Sequence, residues 1–72
     1  MSVKDFFGYM SGNQIVSVVD FETKEKLVLT DYVKRLKAFD NIDWELHEIL
    51  TRKEVIKMGT DEDGEGIVFY VA

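Results

Sequence analysis

With no cysteine, no proline and a single histidine in 72 residues, this chain has only side-chain packing, within itself or against another molecule, to hold it folded. Disulfides are excluded, and one histidine cannot seed the closed Cys/His sites that stabilise small zinc domains. A chain of this size removes only about 60% of its unfolded surface from water, so such domains commonly lean on partners. An independent core needs about 50 residues, which makes residues 1–72 a single small domain. Hydrophobic residues form 46% of the chain and charged residues 32%, a balance too apolar for a disordered tail.

No apolar run approaches the roughly 18 residues of a membrane span, and Met1-Ser2-Val3-Lys4-Asp5 lacks the basic and apolar stretches of a signal peptide. A soluble cytoplasmic protein with no membrane partner is expected. The formal net charge is −5, and Asp61, Glu62, Asp63 and Glu65 carry most of it. Nucleic-acid binders gain affinity by replacing phosphate counterions with Lys and Arg, so this balance disfavours a nucleic-acid partner.

Ser2 and Asp5 stand at capping-box spacing, and Val3, Phe6, Phe7 and Met10 repeat at i, i+3, i+4 and i+7. A short amphipathic helix is predicted, ending at Ser11-Gly12-Asn13 with Gly12 in the left-handed conformation. Gln14 to Phe21 is dense in β-branched residues and suits a strand, with Glu22 to Glu25 as its turn and Lys26 to Leu29 as an antiparallel partner. Thr30 and Asp31 are N-cap residues for a second helix in which Tyr32, Val33, Leu36 and Phe39 share a side. Asp40 and Asn41 interrupt it, and Ile42, Leu46, Ile49 and Leu50 recur at the spacing of a third helix. Val55, Ile56 and Met58 form a strand, Gly59 to Gly66 an acidic turn, and Ile67 to Val71 a last strand. Apolar residues on both faces of that last strand predict a central position, or an edge covered by another subunit.

These elements predict a two-layer α+β domain: a four-stranded antiparallel sheet of two hairpins with two or three short helices on one face. The predicted core is Val3, Phe6, Phe7, Ile15, Val19, Leu27, Leu29, Val33, Leu36, Phe39, Leu46, Ile49, Ile56, Ile67, Phe69 and Val71. One layer of helices covers one face, which leaves Val16, Val18, Val28, Val68 and Tyr70 for the other. An apolar open face marks an interaction surface. Trp44 lies off the apolar stripe of its helix and serves as a lid over the core edge or as a contact.

Candidate chemistry is sparse. The turn Thr60 to Gly66 has the alternating carboxylates of a calcium loop, but with Asp61, Asp63 and Gly64 at positions three, five and six, the first and twelfth positions fall on Gly59 and Tyr70. Asp63-Gly64 is better explained as a hairpin turn. His47 follows Asp43 by four residues, so on a helix the carboxylate could orient the imidazole, yet no further ligand or nucleophile completes a site. Lys34, Arg35, Lys37, Arg52, Lys53 and Lys57 have Asp40, Asp43, Glu45 and Glu48 nearby to neutralise them. Gly59, Gly64 and Gly66 match no phosphate-binding spacing. No catalytic residue, cofactor, metal or small-molecule substrate is indicated.

The layout of an amphipathic start (Val3 to Phe7), a hairpin (Ile15 to Leu29) and a terminal hairpin ending Gly66-Ile67-Val68-Phe69-Tyr70-Val71 resembles small uncharacterised proteins of phages and integrative elements of Gram-positive bacteria. That resemblance implies an accessory origin on a mobile element and transfers no functional residue. The expected function is a non-catalytic protein-interaction module, a homo-oligomer or assembly subunit, acting through Val16, Val18, Val28, Trp44, Val68 and Tyr70. The alternative is an acidic inhibitor that mimics phosphate through Asp61, Glu62, Asp63 and Glu65.

Overall fold

The capping box forms as its spacing predicts. In the computed structural model, which describes residues 1–72, the Asp5 N–H donates to Ser2 Oγ at 3.3 Å and the Ser2 N–H to Asp5 Oδ2 at 2.9 Å. Helix α1 (Val3–Phe7) buries Val3 and Phe7, one turn apart. It is shorter than the apolar repeat suggests: Gly8 caps it, Tyr9 and Met10 N–H groups bond back to Phe6 and Phe7 carbonyls, and Gly12 takes no positive φ. Met10 still packs against the core from beyond the helix end, which is why the periodicity overran it.

Strand β1 (Ile15–Asp20) turns through residues 21–25 into β2 (Lys26–Tyr32). Asp20 Oδ1 accepts from the N–H groups of Glu22 and Thr23, both at 2.9 Å, and Lys24 takes φ 64°, so the turn is held by an aspartate. Thr30 and Asp31 do not cap the second helix; they continue β2, and α2 (Val33–Asp40) has no side-chain cap. Its first N–H groups, on Val33 and Lys34, donate instead to the carbonyls of Gln14 and Gly12 before β1. Helix α3 (Trp44–Arg52) starts at Asp43, whose Oδ1 accepts from the Leu46 N–H at 3.1 Å. Strands β3 (Val55–Thr60) and β4 (Ile67–Val71) form the second hairpin.

The sheet is mixed, not wholly antiparallel. Both hairpins are antiparallel, but they join through a parallel pairing of β1 with β4, giving the order β2-β1-β4-β3. The two helices between the hairpins carry the chain back, so that β4 leaves the same end of the molecule from which β1 starts. The last strand is therefore central, with neighbours on both edges.

Register divides the strands cleanly. Val16 pairs with Ile67 and Val18 with Phe69 on one face, Ser17 with Val68 and Val19 with Tyr70 on the other. The first face meets the helices in one core of Val3, Phe7, Val16, Val18, Val28, Val33, Leu36, Leu46, Leu50, Phe69 and Val71. Phe69 lies at its centre, its ring 5.6 Å from that of Phe6 and 6.3 Å from that of Phe7. This reverses the facing expected for β1, since Ile15 and Val19 lie on the far face. Strand β2 is bulged twice, between the pairs Val16–Asp31 and Val18–Val28 and again before Val19–Lys26. The extra residues let Leu27 and Val28 both reach the core and leave Leu29 76% exposed. Phe39 and Ile56, also expected inside, are surface residues.

Candidate interaction site

Val16, Val18 and Val28 offer no surface: they are 0%, 0% and 7% exposed and belong to the core. Val68 and Tyr70 do lie on the opposite face, with Ser17 and Val19, but that face is not bare. Val68 and Ser17 are buried, and the ammonium groups of Lys24 and Lys57 stand 5.5 and 5.0 Å from the centre of the Tyr70 ring.

The exposed apolar surface lies elsewhere. Trp44 is 73% exposed and Phe39 41%, and with Leu29 they fringe a groove between the free edge of β2 and helices α2 and α3, while Ile42, 79% exposed, borders an adjoining depression with Asp40, Asn41, Asp43, Trp44 and His47. One depression, lined by Leu27, Leu29, Leu36, Phe39, Leu46 and Ile49, joins a second toward Trp44 through Leu27, Glu45 and Ile49. Leu29 is outside because of the β2 bulge, and Ile42 because Asp43, followed by Glu45 in the first turn, starts the helix after it. An N-cap aspartate with an acidic first turn is the signal in the sequence that would have excluded Ile42 from the helical stripe.

Asp43 is thus committed to capping, and His47 pairs with Asp40 instead: its Nδ1 lies 2.9 Å from Asp40 Oδ1, while Lys4 Nζ lies 2.6 Å from Oδ2. Asp40 is the last residue of α2, where the helix dipole disfavours an anion, and its side chain is 5% exposed. Burial works against its charge, but the hydrogen bonds and positive charges of Lys4 and His47 prevail and hold its pKa below the ordinary aspartate value. The carboxylate so clasps α1, α2 and α3 together. No group of three His, Asp or Glu side chains is placed to hold a metal ion.

In the acidic hairpin Asp61 serves the turn, since its Oδ1 accepts from the Glu65 N–H at 3.2 Å and its backbone bonds to Gly64 and Gly66. Glu62, Asp63 and Glu65 are exposed. Gly64 has φ +72°, and a Cβ on Gly66 would collide with Asp61 Oδ2, so both glycines are dictated by the turn. No helix is long and apolar enough to cross a membrane. No family model, curated protein or solved structure matches the chain.

Proposed function

We propose that this two-layer α+β domain is a non-catalytic protein-interaction module whose contact surface is the groove between β2 and helices α2 and α3. The observation that carries this reading is the grouping of Leu29, Phe39 and Trp44 around one groove, each exposed beside an aliphatic floor. Large apolar and aromatic side chains grouped around a groove are the usual anchors of protein interfaces. An accessory role on a mobile element, which the resemblance of the layout to small phage and integrative-element proteins implies, is part of the same proposal. A photo-crosslinking amino acid replacing Leu29 or Phe39 is expected to capture a protein in extracts of cells carrying the gene, while the same residue replacing Glu22 captures none. Equal capture from both sides, or none from the groove, removes the reading.

Self-association is a second reading, supported by the far sheet face. Lys24, Lys26 and Lys57 stand toward the end where β1 finishes, Lys26 and Lys57 in one row with Val19 and Tyr70, and Asp61, Glu62 and Asp63 at the end where β4 begins, with Ser17 and Val68 between. Two copies stacked with strands antiparallel would set each lysine end on the other's carboxylates, a self-complementary arrangement. The footprint is small, so a weak dimer is expected, visible by light scattering at high concentration and weakened by salt. A strict monomer at every concentration excludes it.

A further inference from the structure

The groove along β2 has a sign as well as a shape, and, resting on the interaction-module reading, we propose its occupant: an amphipathic helix of a partner protein, apolar on one face and flanked by lysine or arginine. The floor is aliphatic, with Phe39 near one end and Trp44 at the other. Around it stand Glu25, Asp31, Asp43, Glu45 and Glu48, against Lys26 and Lys53 alone. Part of this acid is already engaged: Asp31 holds Arg35 at 3.3 Å, Glu48 holds Arg52 at 2.9 Å, and Asp43 caps α3. Lys26 reaches along its own strand to Thr30. Glu25 and Glu45 have no ionic partner; neither has Lys53, but its charge also acts on Asp20, so the two glutamates are the larger share of the unpaired charge an incoming chain would meet.

The same features decide how the groove is filled. Strand addition needs a regular edge, and the two bulges of β2 break the register of its outward N–H and C=O groups. A helix needs only a groove for side chains at i, i+3 or i+4, and i+7. A second copy bound groove to groove would face its own carboxylates across the contact, a like-charge arrangement. A basic helix covers the exposed apolar rim and answers Glu25 and Glu45 together.

Trp44 is the only tryptophan in the chain and sits at the groove, so its emission reports occupancy. The probe is a tryptophan-free helical peptide of about four turns with leucine on one face and lysine on its flanks, compared with a counterpart carrying glutamate in place of lysine. The leucine-lysine peptide is expected to give a saturable blue shift of Trp44 with the full chain. Affinity should fall about tenfold or more for the glutamate peptide and for the double variant Glu25→Lys/Glu45→Lys. It should hold when Glu62, Asp63 and Glu65 on the distant hairpin are neutralised. Equal binding of the two peptides, an unaffected double variant, or loss of binding on neutralising the hairpin overturns the basic helix and leaves the groove as an interaction surface. Failure of both peptides overturns it as well, and the groove reading itself falls if crosslinking from Leu29 and Phe39 is also empty or no stronger than from Glu22.

Discussion

Asp40 shows how one residue can be dictated by the folded environment against its local preference. An aspartate closing a helix is opposed by the dipole and here also by burial, yet Lys4 from α1 and His47 from α3 give it two charge-assisted hydrogen bonds. Asp40→Asn keeps the shape and removes the charge, and is expected to cost about 1–2 kcal/mol near neutral pH. The sign of the pH dependence follows from the lowered pKa: the contribution is present above the ordinary value of 3.8 and is lost as pH falls through the lower folded value. In urea denaturation the gap between wild type and Asp40→Asn should therefore close below about pH 4. A gap constant down to pH 2 would show that the charge contributes nothing. Gly66 is a simpler case, because any Cβ displaces the Asp61 carboxylate that holds the hairpin. Gly66→Ala should lower stability by about 1–3 kcal/mol in thermal melts, through lost turn hydrogen bonds. The partner of His47 was not legible in sequence, where spacing pointed to Asp43. The Leu46 N–H at the helix start claims that carboxylate first.

At the scale of elements, caps were legible when donor and acceptor lay within one turn. Ser2 with Asp5 caps α1, and Ser2→Ala should cost about 1 kcal/mol by denaturation. The cap of α2 was invisible because its acceptors, Gln14 and Gly12, come from a segment some twenty residues earlier. Strand β2 gives the sharpest contrast. Simple alternation placed Leu29 inside and Val28 outside, and two bulges invert that assignment. Val28→Ala is expected to cost about 2 kcal/mol, from two lost methyl groups and a partial cavity. Leu29→Lys should stay within about 0.5 kcal/mol of wild type. Equal losses at the two positions would contradict the bulged register. In β1 a clue was present: Ser17, polar between Val16 and Val18, marks the face away from the core.

Across the whole molecule, one core is shared by all three helices and three of the strands, so damage at its centre has nowhere to be absorbed. Phe69→Ala, in the central strand and against Phe6 and Phe7, should cost about 3–5 kcal/mol and leave so small a domain largely unfolded by circular dichroism at physiological temperature. By itself the sequence determined what local physics can specify: an α+β chain, two hairpins, two short helices with the spacing of a third, the Asp63-Gly64 turn, and a last strand apolar enough to be central. Only the tertiary structure decided the parallel joining of β1 to β4, the bulges of β2, the partner of His47 and the side of the molecule that carries the exposed apolar groove. The division has one cause. Periodicity, caps and turns act between residues a few positions apart, whereas strand order, strand facing and ion pairing are settled between segments that meet only when the chain is folded. A run such as Ile15 to Val19, apolar on both faces, is compatible with either facing until its neighbours choose.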